Sequence, residues 1–114
     1  MITPELKELS SYRLKCPALP LDPKDCLVSM EAVIGPKGEL GEELFFFTVA
    51  TPRGLLREPL PRWGRGLLII EEFSWPSVEH SLLRLLTHAQ RNSWAEVTAA
   101  LRQELDWEFE NYQP

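Results

Sequence analysis

The fold is decided by residues 26–51, CLVSMEAVIGPKGELGEELFFFTVAT. In the first part Cys26, Val28, Met30, Ala32 and Ile34 fall on one side of an extended chain, with Leu27, Ser29, Glu31 and Val33 on the other. That period of two is the mark of a strand with one buried face. Residues 35–43 (GPKGELGEE) then bring three glycines and a proline, and residues 43–51 (ELFFFTVAT) are aromatic and β-branched on both faces. Two adjacent antiparallel strands joined by a glycine-rich hairpin loop follow from this order.

Outward from this hairpin the sequence divides further. Residues 1–25 form a proline-rich lead-in: 1–14 read as a strand or an irregular approach, and CPALPLDPKD (16–25), with three prolines, as extended loop. On the other side, residues 52–65 (PRGLLREPLPRWGR) carry three prolines and two glycines, so neither helix nor strand is expected there. Residues 66–73 (GLLIIEEF) read as a short apolar strand, buried on both faces and central in the sheet, which completes a strand region over 26–73.

The period changes after Phe73. Val78, Leu82, Leu85, Leu86 and Ala89 gather on one side of a helical wheel, with His80, Arg84, Thr87 and Arg91 on the other. Ser74 stands at the N-cap position, Pro76 in the first turn, and Phe73 where a hydrophobic staple onto Val78 would lie. A second start follows, because Ser93 to Glu96 spell a capping box and Trp94, Val97, Leu101 and Leu105 continue an apolar stripe. Residues 74–105 are therefore two helices, and residues 106–112 (DWEFENY), with Trp107 and Phe109 on one face and Asp106, Glu108 and Glu110 on the other, are a closing strand with a buried aromatic face. Strands first and helices second predict an α+β fold: a largely antiparallel sheet with two helices from the C-terminal half packed on one face.

The chain has 114 residues, 44% of them hydrophobic and 25% charged, which suits one globular domain. A formal net charge of −5 and a pI near 5.0 argue against a general nucleic-acid binder, which needs cations to displace counterions from phosphates, and favour a cationic partner. No basic segment followed by an apolar stretch opens the chain, and no apolar run approaches the roughly 18 residues a membrane span needs. A cytoplasmic protein with no membrane partner is the expectation, and Cys16 and Cys26, without metal or redox spacing, are expected to be reduced thiols.

Candidate chemistry is sparse. His80 and His88 lack a second ligand or a carboxylate at helical spacing and read as solvated, so no metal, cofactor or catalytic residue is expected. An enzyme assembled from distant residues would have to use those histidines. The loop at 52–65 holds Arg53, Arg57, Arg62 and Arg65 against Glu58 alone, and Trp63 among them has no periodic role. Trp63 either anchors a protein interface, stacks on nucleic-acid bases, or folds back onto the domain. From Gly66 onward, eight acids face three basic residues, and Asp106, Glu108 and Glu110 would form a carboxylate row that a basic partner stabilises.

The segments IGPKGELGEELFFFTVATPRGL (34–55), GLLIIEEFSWPSVEHSLLRLL (66–86), SWAEV (93–97) and LDWEFENY (105–112) resemble the immunity protein 8 family of bacterial polymorphic toxin and contact-dependent growth inhibition systems. The resemblance runs from Cys26 onward and rests on the order and spacing of these segments; the loop at 56–65 is richer in arginine and proline than the family pattern. It implies an intracellular antidote that binds the toxic C-terminal domain of a secreted effector without turnover. On that reading the partner-binding candidates are Asp106, Glu108, Glu110, Trp63, Arg57 and Arg62. The competing readings are a nucleic-acid-binding module built on the arginine and Trp63 loop, and a small enzyme.

Overall fold

A computed structural model describes residues 1–109. The hairpin is present as β2 (Leu27–Pro36) and β3 (Glu43–Ala50), antiparallel in unbroken register from Leu27 opposite Ala50 to Ile34 opposite Glu43. Gly38 and Gly41, with φ of 77° and 109°, turn the loop between them in a region that disfavours side chains. The buried face of β2 holds Val28, Met30, Ala32 and Ile34, and Phe45, Phe47 and Val49 of β3 stand beside them.

The lead-in holds a strand of its own, β1 (Pro4–Ser10), antiparallel to β2 along the sheet's outer edge. Its register slips between Leu6 and Glu8, so Leu6 lies opposite Ile34 and Leu9 opposite Ala32. Three positions on β1 thus match two on β2, and the extra residue at Lys7 is what turns both leucines toward the core.

After β3 the expectation of no regular structure is corrected by one helical turn, α1 (Pro52–Leu55), whose cap is Thr51 and whose first residue is proline. The strand at 66–73 is also corrected. It is β4 (Leu67–Ile69), only three residues, parallel to β3 and last in the order β1-β2-β3-β4, with Ile69 58% exposed. Only Leu68 and Ile70 turn toward the core; the helices cover one face of the sheet, and Ile69 on the other face of β4 stays exposed.

Two helices close the core, α2 (Trp75–Thr87) and α3 (Trp94–Leu101). Both caps are those expected: Ser74 Oγ accepts from Ser77 N, and Ser93 Oγ accepts from Glu96 N while donating to Glu96 Oε1. Trp75, Val78, Leu82 and Leu86 of α2 and Val97 and Leu101 of α3 are buried in one cluster with the sheet's inner face. Trp75 also donates from Nε1 to Ala18 O at 2.7 Å, and Phe73 N donates to Pro23 O, which fastens the proline-rich loop to the start of α2. A mostly antiparallel sheet with its two long helices gathered between β4 and β5 is the α+β architecture expected from the sequence.

The closing strand is shorter than expected. β5 (Asp106–Trp107) pairs antiparallel with β3, Trp107 opposite Phe45 and Asp106 opposite Phe46. Phe109, expected to be buried, is 45% exposed, because the chain leaves the sheet in a turn after Trp107; its ring meets Trp107 edge-on at 5.0 Å. Glu110 and the rest of the expected strand lie outside the described residues.

Candidate partner-binding surface

The far edge of β3 is shared by β4 along Thr48 to Ala50 and by β5 along Phe45 and Phe46, and two of the sequence-derived candidates, Asp106 and Glu108, lie on this side. Asp106 sits opposite Phe46, and its carboxylate meets Arg65 Nη1 at 3.6 Å. Glu108, in the turn that follows β5, donates from its backbone N to Leu44 O and accepts from Leu44 N on Oε1 at 3.3 Å, which ties that turn to the start of β3. The two acids therefore stand at the sheet margin, Asp106 against Arg65 and Glu108 against Leu44, with part of each side chain open to solvent.

The arginine loop is braced rather than loose. Arg57 pairs with Asp25 at 3.0 Å, and Arg62 meets Glu58, four residues earlier in the same loop, at 3.8 Å. Arg65 donates from Nε to Arg102 O at 2.8 Å and from Nη2 to Leu105 O, tying the end of the loop to the chain just before β5. Held this way, the loop presents Leu56, Leu60 and Trp63 to solvent, and Trp63 is 94% exposed. Of the readings open for Trp63, folding back onto the domain is the one excluded.

The histidines stand apart from these groups. His80 is exposed on α2, and His88 is exposed at its C-terminal cap. Among the described residues no three histidine, cysteine, aspartate or glutamate side chains converge as a metal site would require, and no helix is long and apolar enough to cross a membrane. Cys16 and Cys26 are both free thiols, Cys16 exposed and Cys26 buried. Burial, with Asp22 and then Asp25 nearby, pushes the Cys26 thiol up from its ordinary range.

Two features escaped the sequence reading. Glu43 accepts from Trp94 Nε1 and Thr98 Oγ1 on one carboxylate oxygen, which joins α3 to β3; nothing local to Glu43 announces partners fifty residues away. A cleft of about 190 Å³ also lies between β4 and α2, lined mainly by leucines and Phe47. The run LLII without a charge or proline was its one visible trace.

Together these observations describe a small α+β protein whose distinctive chemistry lies on its surface: Asp106, Glu108 and the exposed Ile69 along one sheet edge, and Leu56, Leu60 and Trp63 exposed on the arginine loop. Residues 5–112 match the model of the immunity protein 8 family, and the chain belongs to that family. It is thus an immunity protein, with a toxin as its partner. The match starts at Glu5, so it takes in the lead-in that the ordered segments did not reach. No curated protein and no solved structure matches the chain.

Proposed function

We propose that this protein binds a cognate bacterial toxin domain in the cytoplasm and neutralises it by occupying its surface, with no turnover of its own, as part of a polymorphic toxin or contact-dependent growth inhibition system. Membership of the immunity protein 8 family over residues 5–112 carries the reading. The toxin face is basic, as that of a nuclease is. The formal charge of −5, and the position of Asp106 and Glu108 at the open margin of β5, support that choice. Trp63, exposed two residues before the Arg65 that meets Asp106, supplies an apolar anchor, and Arg57 and Arg62, engaged by Asp25 and Glu58, hold the loop that presents it.

Co-expression with the toxic domain encoded beside its gene tests the reading. Restored growth and a co-purifying complex are expected; a folded antidote that neither rescues growth nor binds overturns it. Replacing His80→Gln together with His88→Gln is expected to leave protection within about three-fold, because both imidazoles are solvent-facing and without a catalytic partner. Complete loss of protection in that folded variant would return the protein to the enzymes.

A further inference from the structure

The pairing of β4 leaves half of its backbone unused. Thr48 N donates to Gly66 O and Ile70 N donates to Ala50 O, so the groups of Leu68 between them face β3. In a parallel ladder the residues on either side then point their N–H and C=O away, and these residues are Leu67 and Ile69. β4 is last in the sheet order, and no described strand pairs with that edge.

The two outer edges of the sheet are treated differently. β1 begins with Pro4, bulges at Lys7 and displays Glu5, Lys7 and Glu8, devices that discourage another strand from adding to an edge. β4 and the residue after it read LLII, with no proline, no charge and no register break, and Ile69 is 58% exposed.

Beside this edge the cleft of about 190 Å³ opens between Leu68, Phe47, Leu82, Leu85 and Leu105, with Glu104 also lining it. A strand added along β4 would direct alternate side chains to the helix side of the sheet, where the cleft lies. Acids lie at both ends of the position: Glu71 and Glu72, in no ion pair among the described residues, follow β4, and Glu104 and Asp106 lie at its other end, where Arg65 meets Asp106, so the excess of negative charge is on the side of Glu71 and Glu72.

We propose that the free edge of β4 receives an extended, cationic segment of the toxin as an added strand, with one apolar side chain of that segment seated in the cleft. Main-chain hydrogen bonds from Leu67 and Ile69 supply affinity, and the cleft with its surrounding acids supplies choice of sequence. A second copy of this chain fits less well, since it would bring its own Glu71, Glu72 and Glu104 to the shared edge. The proposal rests on the toxin reading above.

The test uses the whole protein with the toxic domain encoded beside its gene. Ile69→Pro replaces the outward N–H with a ring that blocks the edge and leaves the bonds of Leu68 to β3 in place; it is expected to weaken binding about ten-fold or more, as losing one or two hydrogen bonds does. Ile69→Thr keeps the N–H and the branched shape and is expected to stay within about three-fold. In hydrogen exchange on the unaltered protein, the Leu67 and Ile69 amides are expected to slow by on the order of a hundred-fold in the complex, while the outer amides of β1 do not change. That measurement decides the matter even where Ile69→Pro fails to fold. Unchanged exchange at Leu67 and Ile69 in a complex that does form overturns the edge proposal and leaves the toxin reading standing; no complex at all overturns both. Slow exchange of these amides without toxin, varying with protein concentration, overturns the choice of occupant in favour of a second copy.

Discussion

Thr51 joins three parts of the chain through one oxygen. Its Oγ1 accepts from Cys26 N at 2.9 Å and from Gly54 N at 3.1 Å and donates to Cys26 O, all in a fully buried position. A Cβ on Gly54 would collide with the Cys26 carbonyl, so the turn of α1 can approach β2 this closely only with glycine there. Thr51→Val keeps the volume but orphans two buried N–H groups, and a loss of about 2–4 kcal/mol in urea unfolding is expected; a loss below about 1 kcal/mol would mean that water replaces the hydroxyl. The neighbouring Cys26 makes a second prediction. Its thiol is pushed up by burial and then by Asp22 and Asp25, so folded and unfolded chains are both protonated below the ordinary thiol value of about 8.5, and pH has no leverage through this group there. Above that value the unfolded chain ionises and the folded one resists, so stability falls as pH rises. A thiol reagent near neutral pH should therefore modify Cys16 alone in the native protein and both cysteines in urea; rapid modification of both without denaturant would refute the burial of Cys26.

At the scale of elements, β5 shows how little pairing is needed to seat an aromatic ring. Trp107 is half-buried opposite Phe45, with Phe109 against its edge and the Arg102 guanidinium 4.9 Å from its ring centre. Its indole N–H is buried without a hydrogen-bond partner among the described residues. Trp107→Ala should cost about 2–3 kcal/mol, below the range for a fully buried tryptophan, and Trp107→Phe about 1 kcal/mol or less, because it also removes the unpaired donor. Equal losses in urea unfolding would show that the indole nitrogen has a partner after all. The contrast between β5 and the helices marks what was legible in the sequence. The alternation of β2 and β3, the apolar stripes of α2 and α3, and the caps at Ser74 and Ser93 are local patterns, and local patterns survive in a one-dimensional reading. The bulge at Lys7 breaks the period that would announce β1 as a strand. The burial of β4 and the length of β5 are not local properties, because both depend on which stretch of β3 each one reaches. The same holds for the candidate surface: the exposure of Trp63 and the meeting of Arg65 with Asp106 are set by loop bracing across distant segments.

For the whole molecule, the acid-rich half should act before contact is made. Asp106→Asn with Glu108→Gln preserves shape, and Gln can still accept from Leu44 N as Glu108 does. Association with a basic toxin domain is expected to slow about ten-fold at low ionic strength and much less near physiological salt, where screening acts within about 8 Å. Stopped-flow mixing across a salt series measures this, and a rate unchanged at low salt would remove these acids from the encounter. The division of β3's far edge between β4 and β5 has a further consequence for how a cell obtains the finished antidote. A ribosome releases the chain from its N-terminus, so β1 to β4 emerge with their apolar face bare, and the remaining seat on β3 waits for residues that follow both long helices. Because that last pairing joins distant parts of the chain, it belongs to the slow class of folding contacts. The apolar face of these strands can therefore be buried only once α2 and α3 have followed them out, and the last seat on β3 is filled only when the final residues are free.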